Sequence, residues 1–342
     1  MSRTDFWPYL EIVQSGRTMS TEQTGAAFEL IMAGKVAEDD LADFLLAQNS
    51  RGQAISEIIG AARVMRGKML TIDAPANAID LCGTGGDNAG TLNISTAVSL
   101  VVATCGVPVA KHGNRSMTSK SGAADVLEAL GVKVALDPAA AEKCLNETGI
   151  CFLFAQVYHP AMKHVAEVRK QLGVRTIFNL LGPLCNPARV KRQLLGVYAD
   201  AMIDPLAHVL AALGTEKAWV VHGEDGLDEM TTTAPTHVAV LDGGKVRTET
   251  ITPDAIGVPR ATLAILKGGD AHENAAALTA LLNGAKGPYR DIVLLNAAAA
   301  LVIAGKASDL KGGAALAADS INSGRAKEKL AHLAECSHRA RL

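Results

Sequence analysis

Two glycine-rich segments, each lying between a short apolar run and a helix-like pattern, constrain this chain most. Gly83-Thr84-Gly85-Gly86-Asp87 follows the apolar run 78–82 and precedes a helix opened by Asn93-Ile94-Ser95-Thr96. Lys111-His112-Gly113-Asn114-Arg115-Ser116 follows the run 107–110 and precedes the helical pattern 122–130, which Gly131 closes. Repeated strand, loop and helix units are typical of a mostly parallel sheet with helices packed on it. Such sheets bind ligands beyond the carboxyl ends of their strands.

The glycines and hydroxyls of these two segments predict a site for phosphate groups. Backbone N–H groups at the start of a helix, helped by one or two cations, hold polyphosphates without a deep apolar pocket. In the second segment we expect one volume to be faced by Lys111, Asn114, Arg115, Ser116, Ser119 and Lys120. Other roles stay open: helix capping for Ser95 and Thr96, solvated loop charges for Lys111 and Arg115, and packing for His112.

The order of apolar patterns predicts two domains. Residues 1–72 favour a small helical bundle, with a capping box at Ser20–Gln23, a glycine at Gly34 suited to a helix end, and further helices over 38–48 and 56–66. Short β-like runs then alternate with helices, which predicts an α/β domain over 73–342. The candidate strands are 78–82, 107–110, 151–154, 194–198, 218–221 and 238–241.

Composition excludes several classes of protein. Of the 342 residues 49% are hydrophobic and 20% charged, which suffices for a substantial core, and the net charge of -2 disfavours nucleic acid as a partner. The longest apolar stretch, 292–304, is too short to span a membrane. Six cysteines without a CxxC pair are expected to be reduced and mostly buried. The first ten residues do not resemble a signal peptide, so we expect a cytoplasmic protein.

A third site element is an acidic loop after the candidate strand 218–221. The segment His222-Gly223-Glu224-Asp225-Gly226-Leu227-Asp228-Glu229 carries several carboxylates, which suit a hard cation such as Mg²⁺. An exposed acidic turn is the other interpretation of such a run. The neighbouring phosphate-binding segments favour Mg²⁺ shared with a polyphosphate.

Several motifs together resemble the anthranilate phosphoribosyltransferase family over nearly the whole chain. They are GTGGD, NIST, KHGNRS followed by SGAADVLEALGV, HPAMKHVAEVRKQLGVRTIFNLLGPLCNP, and GLDE. The resemblance implies a small N-terminal helical domain, joined in space by part of 165–190, and a large α/β domain with a mostly parallel central sheet, usually in a homodimer. It also implies Mg²⁺-dependent transfer of phosphoribose from phosphoribosyl pyrophosphate (PRPP) to the amine of anthranilate, with two Mg²⁺ per subunit.

The same resemblance implies roles for individual residues. The PRPP ligands would be Gly83, Gly86, Asp87, Thr91, Asn93, Ile94, Ser95, Thr96, Lys111, His112, Gly113, Asn114, Arg115, Ser116, Met117, Thr118, Ser119 and Ala123. The metal ligands would be Ser95, Asp228 and Glu229, and the anthranilate contacts would be Gly83, Asn114 and Arg169. A guanidinium can bind the anthranilate carboxylate in a bidentate way, although Arg169 also fits an amphipathic helix surface beside Glu167. No general base is expected, because the aromatic amine is neutral and nucleophilic near pH 7.

The chain departs from the family pattern at three positions. Asn88 stands where glycine is common, Leu92 where phenylalanine is common, and Ala123 where a small hydroxyl residue often occurs. None of these removes a proposed ligand. Two other functions are kept as alternatives: a pyrimidine nucleoside phosphorylase, and a non-catalytic relative that binds nucleic acid.

Overall fold

A computed structural model describes residues 5–116 and 120–339. In chain order the helices are α1 (Trp7–Gln14), α2 (Thr21–Met32), α3 (Glu38–Arg51), α4 (Ile55–Lys68), α5 (Ile94–Thr104), α6 (Ala123–Ala129), α7 (Pro138–Thr148), α8 (Ala155–Tyr158), α9 (Ala166–Leu172), α10 (Ile177–Leu184), α11 (Ile203–Ala212), α12 (Ala271–Leu282), α13 (Pro288–Ile303), α14 (Leu310–Asn322) and α15 (Arg325–Arg339). The strands are β1 (Ile79–Gly83), β2 (Val109–Gly113), β3 (Ile150–Phe154), β4 (Arg192–Gly196), β5 (Lys217–Gly223), β6 (Thr236–Asp242) and β7 (Lys245–Ile251). Short 3-10 helices occupy Pro160–His164, Asp200–Met202, Pro253–Ile256 and Leu263–Leu266.

The chain divides into two compact units, Met1–Leu70 with Gln156–Pro187, and Thr71–Ala155 with Ala188–Leu342. The first unit is helical. Its helix α2 starts with the predicted capping box, in which the Ser20 hydroxyl accepts from the Gln23 N–H and the Gln23 side chain accepts from the Ser20 N–H. The helices predicted over 38–48 and 56–66 are confirmed as parts of α3 and α4. The core of this unit includes Phe28 and Phe178, whose ring centres are 5.6 Å apart.

The second unit contains one sheet with strand order β3-β2-β1-β4-β5-β6-β7. The first five strands in this order are parallel, and β6 and β7 are antiparallel to their neighbours. The predicted mostly parallel sheet is therefore confirmed, and each of the six candidate strands lies in or overlaps one of β1–β6. β7 was not predicted, because most of its side chains are exposed and polar and it pairs only as an edge strand.

The strand order places the candidate site at the centre of the sheet. β1 connects to β2 on one side and has β4 on the other, so the strand order reverses beside β1. Open sheets bind ligands outside the carboxyl ends of strands at such a point. Helices α5 and α13 pack together in this unit, and nearly every residue of α5 from Ile94 to Ala103 is buried. The start of α5 is therefore held rigidly at this edge.

All six cysteines are free, four of them buried and two half-buried, as the sequence predicted. Within the described ranges, no helix is both long and apolar enough to cross a membrane.

Candidate functional site

The loop after β1 contains several residues with positive φ angles. Gly85, Gly86 and Gly90 adopt positive φ angles of 66°, 76° and 59°, a conformation that favours glycine. Asn88 also has a positive φ, of 58°. Asparagine tolerates this left-handed conformation better than most residues, so the departure from glycine at Asn88 keeps the backbone path of the loop.

At the start of α5, two of the predicted PRPP ligands have buried side chains. Ile94 and Thr96 are buried, and the Thr96 hydroxyl has no hydrogen-bond partner among the described residues. Asn93 is the residue before the helix and makes no side-chain cap. The Ser95 hydroxyl lies 3.1 Å from the Lys111 ammonium. Among the four residues of the NIST motif, Asn93 and Ser95 are half-buried and the other two are buried.

The second segment differs from its prediction. Lys111, His112 and Gly113 do not lie in a loop, because they form the end of β2. The Lys111 side chain is 3% exposed, and its ammonium donates to the Leu81 carbonyl over 2.6 Å. Burial lowers the pKa of Lys111, while the negative charge of Asp80 opposes that shift. Lys111 is therefore an internal cation beneath the loop and not part of one exposed volume with Arg115.

His112 and Gly113, at the end of β2, make contacts that stabilise the fold. His112 is buried, and its backbone N–H donates to the Asp80 carboxylate over 3.1 Å. A Cβ at Gly113 would lie 2.8 Å from the Phe152 ring. The same Cβ at Gly113 would lie 3.5 Å from the Cβ of Ala123, the first residue of α6. The space between β2 and α6 is therefore narrow. A small residue is required at Gly113 for packing.

Arg115 faces α6 instead of an open volume. Its guanidinium donates to Asp125 over 2.7 Å and to both oxygens of Glu128 over 2.7 and 2.8 Å. The Asn114 side-chain oxygen accepts from the Arg115 N–H over 2.8 Å. The Ser116 N–H donates to Asp125 over 3.4 Å. The predicted ligands Met117, Thr118 and Ser119 lie outside the described residues.

The acidic segment after β5 separates into two parts. Glu224 lies 3.1 Å from His237, and Asp225 accepts from Thr231 and Thr233 within its own loop. Asp228 instead reaches the first loop, where its carboxylate accepts from the Gly85 N–H over 2.7 Å. Glu229 lies at the start of α5, where the backbone N–H of Ser95 favours its ionised form. Only the last two carboxylates of the segment are therefore joined to the glycine loop and the start of α5.

Electrostatics at this junction favour a cation. Burial raises the pKa of both Asp228 and Glu229, and repulsion from Asp87 raises the pKa of Asp228 further. The Lys111 ammonium opposes the shift at Glu229. In the part of the chain that the structure describes, no group of three or more His, Cys, Asp or Glu side chains is arranged as a complete metal site. Asp228, Glu229 and the Ser95 hydroxyl nevertheless supply the type of hard oxygen donor that suits Mg²⁺ bound together with an anionic substrate.

Two glycines leave the space in which Asp228 packs against the end of the sheet. A Cβ at Gly83 would lie 2.5 Å from a carboxylate oxygen of Asp228. At Gly196, which pairs with Gly83 across β1 and β4, a Cβ would collide with the Asp228 carbonyl. Gly196 was not predicted as a site residue, because its contact with Asp228 is formed between distant parts of the chain. The predicted strand 194–198 extended past Gly196, so nothing in the sequence marked this glycine as the end of a strand.

Arg169 belongs to the helical unit. Its guanidinium lies 5.4 Å from the centre of the Phe178 ring, and burial lowers its pKa. Among the described residues it makes no ion pair with a carboxylate, and so the alternative partner Glu167 is not used. Glu167 instead accepts from Gln171 over 3.1 Å. A partly buried guanidinium without a carboxylate partner is suited to an anionic ligand.

Comparison with known proteins identifies related chains. Residues 8–69 match the model of the glycosyl transferase family, helical bundle domain, and residues 75–327 match that of the glycosyl transferase family, a/b domain. Anthranilate phosphoribosyltransferase from Beijerinckia indica is 56% identical over 333 residues, which cover 97% of each chain.

Two solved structures extend the similarity to the fold. The crystal structure of anthranilate phosphoribosyltransferase from Thermus thermophilus aligns with a TM-score of 0.91 at 42% identity, covering 96% of this chain and 99% of that one. The Saccharomyces cerevisiae enzyme, solved in complex with PRPP and Mg, aligns with a TM-score of 0.91 at 27% identity and covers 99% of both chains.

Proposed function

Because the chain belongs to the anthranilate phosphoribosyltransferase family, we propose that it transfers the phosphoribosyl group of PRPP to the amine of anthranilate. The products are N-(5-phosphoribosyl)anthranilate and pyrophosphate, and the reaction is a step of tryptophan biosynthesis. The observation that carries this proposal is the junction of Asp228, the Gly85 N–H and the start of α5 at the reversal of strand order. It brings the carboxylates that would hold a cation next to the glycine loop and the helix start, where the phosphates would bind.

PRPP occupies the carboxyl edge of β1 and β2 in this proposal. Backbone N–H groups of the glycine loop and of the first turn of α5 hold its phosphates, aided by the positive end of the helix dipole. Because the Thr96 side chain is buried, Thr96 would contribute through its backbone N–H. The Ile94 side chain is also buried and its N–H donates to the Leu92 carbonyl over 2.8 Å, so the role of Ile94 stays a prediction. The other residues that the family resemblance assigns to PRPP, including Lys111, His112, Gly113, Asn114, Arg115, Ser116 and Ala123, remain predictions.

Mg²⁺ would be held by Ser95, Asp228 and Glu229, and we propose two ions per subunit, as the family resemblance implies. When bound, the metal neutralises charge that develops on the pyrophosphate leaving group. Lys111 supports this arrangement, because its ammonium donates to the Ser95 hydroxyl and opposes the rise in the pKa of Glu229 that burial causes. The buried cation thus favours the ionised form of Glu229, which is the form that would bind the metal.

The chain's main catalytic contribution is orientation and charge stabilisation. Departure of pyrophosphate leaves positive charge on the ribose, while oriented N–H groups stabilise the negative charge on the departing group. The anthranilate amine attacks the anomeric carbon in line, its nitrogen forms the new bond as the C–O bond to pyrophosphate breaks, and a proton leaves the nitrogen. This mechanism inverts the anomeric centre. Product with the retained anomer would contradict it.

Arg169 binds the anthranilate carboxylate in this proposal. Its guanidinium is partly buried against Phe178 and has no carboxylate partner among the described residues. Anthranilate supplies that missing anion. Gly83 and Asn114, the other anthranilate contacts that the resemblance implies, stay predictions.

We also propose the wider organisation that the sequence predicted. The two domains would be 1–72 with part of 165–190, and 73–342, which agrees with the separate family matches to 8–69 and 75–327. The protein would act as a cytoplasmic homodimer, without a nucleic-acid partner.

The proposed activity is tested by identifying products. Purified protein incubated with PRPP, anthranilate and Mg²⁺ should yield N-(5-phosphoribosyl)anthranilate and one equivalent of pyrophosphate, measured by mass spectrometry and a coupled pyrophosphate assay. The same protein incubated with a pyrimidine nucleoside and inorganic phosphate should release no free base. Release of base without formation of the anthranilate product would instead support a nucleoside phosphorylase.

A further inference from the structure

Residues 266–268, which are distant in sequence, form hydrogen bonds with the loop that leads into α5. The Leu92 N–H donates to the Leu266 carbonyl, and the Gly268 N–H donates to the Gly90 carbonyl, each over 2.9 Å. Between these bonds Thr91 and Lys267 form an antiparallel bridge. The predicted PRPP residues Thr91 and Asn93 are therefore supported by residues 266–274, which contain no residue of the predicted site.

Asn274, in the first turns of α12, extends this support to Asn93. Its side chain is 2% exposed. The side-chain oxygen accepts from the Gly269 N–H over 2.8 Å, and its Nδ2 donates to the Asn93 side-chain oxygen over 2.8 Å. Tyr289 adds a bond from its hydroxyl to the Asn93 carbonyl over 3.2 Å. Asn93 is thus held through both its side chain and its backbone.

The hydrogen bonds determine which way both carboxamides point. A backbone N–H can only donate, so the Gly269 N–H requires the oxygen of Asn274 on its side. Nδ2 of Asn274 then faces Asn93 and requires the oxygen of Asn93 in return. The Nδ2 group of Asn93 is left without a hydrogen-bond acceptor among the described residues, beside the N–H groups at the start of α5.

We propose that Asn274 is a positioning residue for PRPP, which holds the Asn93 carboxamide so that its N–H groups are available to the phosphate oxygens. The inference rests on the proposed function and assigns a role to a residue outside the predicted site. Carboxamide N–H groups are suitable donors to phosphate, whereas a reversed Asn93 would present an oxygen that phosphate repels.

Gly268 supports the same arrangement by close packing. A Cβ at Gly268 would lie 2.7 Å from the Asn274 side-chain oxygen and 2.8 Å from the Thr91 carbonyl. The Asn274 side chain therefore fills the space that a side chain at Gly268 would occupy. The glycine allows the carboxamide to fold back toward Asn93.

Asn274→Asp tests the proposal with little change in side-chain volume. Aspartate at this position still accepts from the Gly269 N–H but offers no N–H to Asn93. The Asn93 carboxamide then gains by turning to donate to the new carboxylate, which removes its donors from the ligand. We expect the dissociation constant of PRPP with Mg²⁺, measured by calorimetry, and the PRPP KM to rise about tenfold or more, as for loss of a bond to a charged group. The anthranilate KM should change little.

Asn283→Asp is the matched control. It introduces the same charge at the exposed end of α12, where Asn283 follows the last helical residue. PRPP binding by this variant should equal that of the wild type. An equal loss in both variants would attribute the effect to charge and overturn the proposal.

A double-mutant cycle separates positioning from general structural support. If Asn274 acts through Asn93, then Asn274→Asp should have no further effect on PRPP binding in an Asn93→Ala background. Additive effects of the two substitutions would overturn the proposal, as would wild-type PRPP affinity in folded Asn274→Asp protein. Failure of the wild type itself to bind PRPP would defeat the proposed function together with this inference, and so the two failures are distinguishable.

Discussion

The Asp228 carboxylate accepts a hydrogen bond of 2.7 Å from the backbone N–H of Gly85. This bond joins the loop after β1 to the acidic segment after β5, although 143 positions separate the two residues. Both loops leave the same edge of the sheet, because β1, β4 and β5 are parallel. The contact therefore brings a proposed metal ligand to the proposed phosphate loop.

Gly196→Ala should disturb the proposed metal ligand without removing it. The new Cβ would collide with the Asp228 carbonyl, and a backbone atom cannot rotate away as a side chain does. We expect a higher Mg²⁺ concentration for half-maximal activity, and a loss of about 1–3 kcal/mol of stability from overpacking. A Mg²⁺ titration of the initial rate measures the first effect, and urea denaturation the second.

Gly67→Ala is the control for that substitution, since a Cβ at Gly67 meets no atom within 4 Å. It should leave the Mg²⁺ requirement unchanged. A wild-type Mg²⁺ titration in folded Gly196→Ala protein would show that the packing of Asp228 does not matter for the metal.

Arg169→Ala should chiefly raise the KM for anthranilate. The substitution removes a charged partner of the substrate carboxylate, which is worth about tenfold or more in affinity. Steady-state kinetics with each substrate varied in turn separates this effect from a change in the PRPP KM. Lys170→Ala, at the neighbouring exposed position, should change neither constant. A lower kcat with an unchanged anthranilate KM would assign Arg169 a different role.

Magnesium affinity should increase with pH. The pKa values of Asp228 and Glu229 are raised above the usual carboxyl range by burial, so protons compete with the metal over a window above about pH 4. In the absence of metal the folded state holds these protons more tightly than the unfolded chain, and so stability falls as pH rises through the raised pKa values. Titration of Mg²⁺ with PRPP present, at about pH 6 and about pH 8, measures the affinities. Equal affinities would contradict the proposed ligands.

Acid should destabilise the protein through His159. The side chain is 7% exposed, and burial lowers the pKa of His159 to about 4. The unfolded chain binds a proton near pH 6.5, so this contribution is present above that pH and is lost as pH falls toward 4, by about 3 kcal/mol in total. Urea denaturation across this range should show a weaker pH dependence for His159→Gln than for the wild type. His332→Gln, at an exposed position on α15, should preserve the wild-type dependence.

The sequence predicted the elements of the fold better than their environments. Periodicity identified β1 to β6, because buried strands are apolar runs. It ended β2 before Lys111, because a lysine within a strand end resembles a loop charge until Asp80 and the Leu81 carbonyl are known to surround it. The exposed, polar strand β7 gave no comparable signal.

Motifs predicted residues that lie close together in sequence, and missed those that act across the fold. Asp228 and the Gly85 loop were both predicted as site residues, and the structure joins them. Gly196 and Asn274 were not, because their contacts with Asp228 and Asn93 arise only when distant segments pack. Arg115 shows the opposite case, since its charge in the motif is paired with Asp125 and Glu128 of α6.

The central claim is tested most directly by the fluorescence of anthranilate. Purified protein with anthranilate, PRPP and Mg²⁺ should cause a steady loss of that fluorescence, and omission of the protein, PRPP or Mg²⁺ should each abolish the loss. Folded protein that binds PRPP but leaves anthranilate fluorescence unchanged in the complete mixture would contradict the proposed transfer.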